Sequence, residues 1–394
     1  MLDRIVHQTI LNDELKFIKA TRFRNGYIWD VVKLRQEFEV CPKCASKTNT
    51  RNGKAQAVVQ EEPFGGVPLW LRIHKHKYLC RNCKKTFTES VKGIFLKRRT
   101  TQRFRSFLLD KCQDFKSLKR ITERYNVSSG FIHKLFYEQV QLKLRERTGS
   151  FWPKKLGIDE HFFSRRKGFT EFVTVFVNLS KNRLFEVAEG KSKNSLIEQI
   201  KRIPGRENVK LVSIDMCSPY RQLVYELFPN AKIITDKFHV VRMGLPYLLK
   251  ERAQIEGPRK KLGSRKLLLK NRNKLDYSAR CKIDRYLKPH PRLEELYRAK
   301  EELNTFYRTK GRDRATQSLV RMINKFKKSE IEEIKRMGRS LENWREEILN
   351  YFEFKLTNAA TEAINGRAKL LQKCASGYRS FKNYRLALLN ACSY

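Results

Sequence analysis

The sequence predicts a multi-domain protein of mixed α+β and α/β class, and three observations predict it. Two CxxC pairs near the N-terminus, Cys41/Cys44 and Cys80/Cys83, have the spacing of a metal-binding ribbon. Past residue 150 short apolar strands are followed by alternating strand and helix, the pattern of a mixed sheet. After that comes a long charged stretch whose Leu and Ile recur at three and four, the period of helices. The boundaries read as 1–90 for an N-terminal segment and zinc ribbon, 91–150 for a helix-turn-helix, and 151–394 for a mixed-sheet domain whose stretch at about 245–355 is helical.

Composition narrows the partner. The 394 residues are 40% hydrophobic, enough for several domains with real cores, which excludes a disordered tail. Lys and Arg number 85 against 41 acids, a net charge of +44. So strong a surplus calls for a polyanion, and nucleic acid comes first because phosphate neutralisation supplies most sequence-independent affinity. No apolar run reaches the roughly 20 residues of a membrane span, and the N-terminus lacks a basic start followed by an apolar core. A cytoplasmic, nucleoid-associated protein is therefore expected, and in a reducing compartment nine cysteines argue for metal ligation or free thiols over disulfides.

Gly26 to Leu34 reads as a strand leading into the first knuckle. Four thiolates from Cys41, Cys44, Cys80 and Cys83 can close a tetrahedron around structural Zn²⁺ with no open position for chemistry. Two strands, Leu69 to His74 and His76 to Leu79, would bring the second knuckle back to the first. From Ser90 to Leu109 there is no acid, while Lys92, Lys97, Arg98, Arg99, Arg103 and Arg105 are basic, a linker suited to DNA backbone contact. Phe104, Phe107, Leu108, Cys112 and Phe115 then recur at helical spacing, as do Leu118, Ile121 and Tyr125. Asn126-Val127-Ser128 supplies a turn, a buried anchor and an N-cap before a third helix. Such a helix-turn-helix would offer Ser129, His133 and Lys134 to a major groove; a plain helical hairpin has the same periodicity.

Strands are expected at Leu156 to Asp159, Glu171 to Leu179 and Arg183 to Glu189, with turns at residues 166–168 and 180–182, and a helix at Asn194 to Ile203. The centre of the domain is Leu211 to Val241. An apolar run stops at Asp215, Pro219 opens a helix, and a second strand rises to Asp236. A carboxylate at the end of a buried strand is costly unless a cation lies against it, so Asp159 and Asp215 are candidates to converge on a divalent metal; capping of a following helix is the plainer alternative. No glycine-rich phosphate loop follows any strand, which argues against ATP-dependent chemistry. Residues 257 to 274 hold eight basic residues and no acid, and residues 366 to 394 are acid-free behind Glu362.

Taken together these motifs resemble the DDE transposases of bacterial insertion sequences, specifically the ISL-three-type group, over nearly the whole chain. The carriers are CPKC and CRNCKKTF, the helix-turn-helix, GIDEHFFSRRKG around Asp159, VSIDMCSPY around Asp215, DKFHVV around Asp236, and TNAATEAINGRAKLLQKC around Glu362. Ala359, Ala363 and Cys374 depart from that pattern. The resemblance implies a ribonuclease-H-like catalytic domain in which Asp159, Asp215 and Glu362 bind two Mg²⁺ ions, with Asp236 and His239 supporting. Hard cations prefer carboxylate oxygen, and two of them would activate the attacking hydroxyl and stabilise the leaving oxygen of a phosphodiester. The implied partners are double-stranded DNA, as the element's terminal inverted repeats and as target, and further copies of the chain on that DNA. A regulator with a degenerate catalytic domain, or a nuclease without strand transfer, are the alternatives.

Overall fold

The computed structural model describes residues 13–95, 98–113, 117–145, 151–166, 169–257 and 263–393, and the chain divides into two compact units. One takes residues up to Gln141 with Cys374–Ser376, the other Leu142–Lys373 with Gly377–Tyr394.

In the first unit, β1 (Leu15–Phe23), β2 (Gly26–Lys33), β6 (Val67–Leu79) and β5 (Arg51–Phe64) form a sheet in the order β1-β2-β6-β5, with β7 (Thr86–Thr88) also on β6. A separate two-stranded ribbon joins β3 (Glu39–Val40) to β4 (Lys47–Thr48). The expected pair of strands between the knuckles is one continuous strand, β6. It is held straight by antiparallel pairing with β5 on one side and parallel pairing with β2 on the other, and Leu69, Leu71 and Ile73 alternate into the core.

Three helices follow: α1 (Gln102–Cys112), α2 (Leu118–Tyr125) and α3 (Ser129–Arg145). Thr101 caps α1 by accepting from the Phe104 N–H, and the buried Phe104, Leu108, Ile121, Ile132 and Leu135 make their common core. Between α2 and α3 the chain turns through Asn126 in the left-handed region (φ 51°), a conformation that Asn tolerates better than most residues, and the Ser128 hydroxyl accepts from the Phe131 N–H. Val127, expected as a buried anchor, is only half-buried.

The second unit is built on a mixed sheet in the order β10-β9-β8-β11-β12. Here β8 (Lys155–Arg166), β9 (Phe169–Asn178) and β10 (Arg183–Glu189) are antiparallel, whereas β11 (Leu211–Ile214) and β12 (Lys232–Thr235) run parallel to β8. The turn at 180–182 is present, with the Asn178 side chain accepting from the Ser180 N–H and Asn182 at φ 51°; the turn expected at 166–168 falls partly outside the described residues. The helices α4 (Lys193–Ile200) and α5 (Ser218–Leu227) connect the strands and bury Leu196, Ile200, Leu223 and Val224 with Val212 and Ile214. Each such fully buried side chain contributes about 1.5–3 kcal/mol.

After β12 come α6 (Lys237–Arg242), then α7 (Leu245–Glu256), α8 (Gly263–Leu269), α9 (Tyr277–Leu287), α10 (Pro291–Phe306), α11 (Arg312–Lys327), α12 (Glu332–Asn343) and α13 (Arg345–Phe354). Residues 258–262 of the basic run lie outside the described residues. These helices share one apolar core with the sheet through Leu248, Leu303, Leu319 and Phe352. On α13, Asn350 donates to the Ile233 carbonyl of β12 at 2.8 Å. Last come α14 (Ala359–Cys374) and α15 (Phe381–Cys392). Among the described residues no helix is long and apolar enough to cross a membrane.

Candidate active site

Parallel register gathers the acids. Ser213 on β11 pairs with Gly157 on β8, and Ile214 pairs with Thr235 on β12. Continued to the strand ends, this register sets Asp159, Asp215 and Asp236 in one row across three adjacent strands. Carboxyl ends of parallel strands are where open α/β sheets leave a crevice for ligands.

Three carboxylates in a row repel one another, and the surroundings answer differently at each. Asp236 is fully buried and both its oxygens are engaged. Oδ2 accepts from the Phe238 N–H at 3.2 Å, which makes Asp236 the N-cap of α6, and from His239 Nδ1 at 3.2 Å; Oδ1 accepts from the Asn358 N–H at 3.3 Å. The capping alternative weighed for strand-terminal Asp residues therefore holds at this position.

His239 Nδ1 also lies 2.9 Å from Asp215 Oδ1. Asp215 first and Asp236 second raise the imidazole to about 10, so it is a cation between them. One proton on Nδ1 serves one acceptor at a time. Asp215 Oδ1, at the shorter distance, and Asp236 Oδ2 share that proton, and Asp215 Oδ1 is buried with no other donor in place. Among the described residues, Asp215, Asp236 and His239 form one of two clusters of metal-type ligands with ligand atoms within 4.8 Å of one another.

Asp159 is pushed up to about 7, by burial first and by the Asp215 charge second. Its Oδ2 accepts from Asn365 Nδ2 at 2.7 Å. Behind Asn365 the bonds run on: His161 Nδ1 and Asn365 Oδ1 are 2.9 Å apart, and His161 Nε2 and the Tyr384 hydroxyl 2.5 Å apart. Burial lowers His161 to about 4, so it is neutral. Since Asn365 spends its amide N–H on Asp159, its oxygen must accept from His161 Nδ1–H, and His161 Nε2 must accept from Tyr384. Three donors are thus aimed in series at one carboxylate. Composition and spacing did not single out these partners; the available signals were His161 two residues beyond Asp159 on the same strand face, and Asn365 one helical turn beyond Glu362.

Glu362 stands in the first turn of α14, exposed, and neither it nor Asp159 is among the acids whose ligand atoms cluster. Its helix nevertheless seats directly on β8. A Cβ at Gly157 would fall 2.2 Å from Thr361 Oγ1 and 2.9 Å from Asn358 Oδ1, so only glycine admits this approach. The Thr361 hydroxyl and both polar atoms of the Asn358 amide are buried there without a hydrogen-bond partner.

The second cluster is Cys41, Cys44, Cys80 and Cys83. Both CxxC pairs sit in β-turns, one between β3 and β4 and one between β6 and β7. Each turn has a non-glycine residue in the left-handed region just after its second cysteine, Ala45 (φ 57°) and Lys84 (φ 55°). Cys41 and Cys83 Sγ are 3.7 Å apart, Cys44 and Cys80 Sγ 3.5 Å, close to the edge of about 3.8 Å that a tetrahedron with Zn–S near 2.3 Å requires. The Ser46 hydroxyl and amide draw the Cys44 thiol down to about 6. Thr48 Oγ1 bonds the Leu79 carbonyl and Asn82 bonds Ser46, tying the two knuckles together.

On the helical part of the first unit, Arg98, Arg99, Ser129, His133 and Lys134 are all exposed, with Lys134 3.7 Å from Glu138. Arg103, by contrast, is 3.2 Å from Glu61 and Arg105 lies over the Phe131 ring, so these two linker cations are used within the fold.

Comparison with known proteins agrees with this layout. The ISL3 family model, described as transposase, matches residues 156–388, and that described as the zinc-finger of transposase IS204/IS1001/IS1096/IS1165 matches residues 37–83. The chain is 22% identical over 362 residues to the transposase for insertion sequence element IS1001 of Bordetella parapertussis, covering 89% of this chain and 87% of that one. It is 25% identical over 258 residues to the transposase for insertion sequence element IS1557 of Mycobacterium tuberculosis, covering 58% and 57%.

Proposed function

Because the chain belongs to the ISL3 family of insertion-sequence transposases, we propose that it binds the terminal inverted repeats of its element, cuts there in a metal-dependent reaction, and joins the 3′ end to target DNA. The observation that carries the catalytic part is the row of Asp159, Asp215 and Asp236 across β8, β11 and β12. A sheet of three antiparallel strands continued by two parallel ones supports a ribonuclease-H-like reading of the second unit, with the helices at 245–354 as its insertion.

Within the row, charge balance sets Asp159 and Asp215 apart from Asp236. Asp215 Oδ1 shares the His239 imidazolium with Asp236, and Asp159, although the Glu160 N–H and the Asn365 amide hold its two oxygens, carries a carboxyl that its surroundings disfavour as an anion; a divalent cation would relieve both. Asp236 has both oxygens committed to the chain, which fits a support that fastens the start of α6 and the segment before α14. His239 supplies positive charge between two acids and fits the same role. Glu362 is the third ligand in this reading: α14, which bears it, is bonded to Asp159 through Asn365, and the metal would draw its exposed carboxylate in. The donor set is all carboxylate oxygen, the chemistry of Mg²⁺, and two such ions would lower the cost of charge on attacking and leaving oxygens. Asn365 holds the Asp159 carboxylate in orientation while a water or a 3′-hydroxyl attacks phosphorus and the opposite oxygen departs.

The four cysteines hold structural Zn²⁺ in this reading, and α3, the second helix of the helix-turn-helix, lies in the major groove with Ser129, His133 and Lys134 toward base edges. Arg98 and Arg99 contact backbone phosphate. The test is strand cleavage and binding on a labelled duplex bearing the element's end. His133→Ala with Lys134→Ala should weaken binding to that end about tenfold more than to random duplex, whereas Arg98→Ala with Arg99→Ala weakens both and flattens the salt slope. Equal loss on both duplexes in the first variant removes α3 as a reader. Persistent cleavage by a well-folded Glu362→Gln removes Glu362 from the site.

A further inference from the structure

Beside the acid row, α6 and the insertion enclose a cavity of about 520 Å³ that the transposase reading leaves unused. Its walls carry Lys237, Arg242, Lys274 and Arg308, and none of the described residues lining it is acidic. None of these four cations forms an ion pair with a described residue; Lys237 lies 5.7 and 5.8 Å from the ring centres of Tyr307 and Tyr351. Uncompensated positive charge around a concavity selects an anion.

Shape and lining narrow the anion further. Phe238 is 41% exposed, with the Arg242 guanidinium 5.5 Å from its ring centre, and aromatic and guanidinium planes both stack on unpaired bases. Asn271 and Asn304 add amide groups that can donate to and accept from a base edge. The volume lies within the roughly 300–1,000 Å³ of small-molecule pockets, which suits one nucleotide and excludes a duplex. Position agrees, because Lys237 and Phe238 directly follow Asp236, so the cavity opens from the same helix that begins at the row.

We infer that this cavity is a nucleotide subsite: it takes one unpaired nucleotide of the DNA strand adjoining the reacting phosphodiester, its base stacked at Phe238 and its phosphate among Lys237, Arg242, Lys274 and Arg308. The inference rests on the transposase reading for the identity of the strand. The catalytic acids then act on a strand already separated from its partner at that position.

Photocrosslinking of the full-length chain tests it. A single-stranded oligonucleotide carrying one 5-iodouracil is irradiated with the protein in Ca²⁺, and the adduct is mapped by peptide mass. Adducts on Phe238 or its pocket neighbours are expected, abolished in Phe238→Ala. Lys274→Glu with Arg308→Glu, both at exposed positions, should weaken oligonucleotide binding about tenfold or more. Adducts confined to other surfaces, or unchanged yield in Phe238→Ala, overturn the subsite. Cleavage of the element's end by wild-type protein is measured alongside: cleavage without pocket adducts sinks the subsite and leaves the transposase reading standing, and pocket adducts without cleavage do the reverse.

Discussion

The cysteine knuckles and the carboxylate row both offer metal-type ligands, yet they are assembled in opposite ways. Each knuckle is a local turn that places two thiols by itself, and the chain has only to bring two turns together through β6. The row depends on three strands and on helices far along the chain. At the knuckles every ligand faces the others, and left-handed Ala45 and Lys84 store strain of about 1–3 kcal/mol each that metal binding offsets. In the row Asp159 and Asp236 have both oxygens hydrogen-bonded, whereas Asp215 relies on the His239 imidazolium that it shares with Asp236. A closed site is a fastener, and an unevenly satisfied one is poised for chemistry.

The sharpest way to break this contrast is to remove charge from Asp215 and Asp159, the two acids of the row proposed as ligands. Asp215→Asn or Asp159→Asn should keep folding and end binding while cutting strand cleavage about 10³-fold or more, and the double variant should be scarcely worse than either single one. Additive losses would mean the acids work independently. Zinc comes next: Cys80→Ser should drop zinc from one per chain to none and unfold the ribbon, because apparent binding of about 10–16 kcal/mol is folding energy in such modules. Zinc-free, soluble, folded wild-type protein would refute the comparison from that side. Asp236→Asn should slow cleavage only about 10- to 100-fold, the range for groups that orient ligands; a loss as large as that of Asp215→Asn would make Asp236 a ligand itself. The smallest effect is expected from Tyr384→Phe, which deletes the last donor behind Asp159. It should cost about 1 kcal/mol, lower Tm by about 2–4 °C, and slow cleavage less than tenfold.

Legibility in the sequence followed the same divide. Cys41, Cys44, Cys80 and Cys83 could be read from spacing because their geometry is local. Asp215 and Asp236 could be placed at strand ends because the apolar runs Leu211–Ile214 and Lys232–Thr235 stop there. How each carboxylate is held could not be read in full, since Asp159 and Asp236 each take one donor from a nearby backbone N–H but another from Asn365 and Asn358, more than 100 residues away. The break expected at residue 75, between Leu69–His74 and His76–Leu79, is absent from β6. There a strand is sustained by ladder partners on both sides and needs no apolar run of its own.

The Asn365–Asp159 bond spans 206 residues, and that span has a consequence in time. A chain emerging from the ribosome exposes its cysteine knuckles and first three helices early, and N-terminal parts fold first. Asp159, Asp215 and Asp236 follow, but the helix bearing Glu362 and Asn365 is among the last pieces made. Until then the nascent protein can fold its cysteine knuckles and first helices while the acid row still lacks α14, so in the proposed function synthesis itself delays the scissors until the grip is formed.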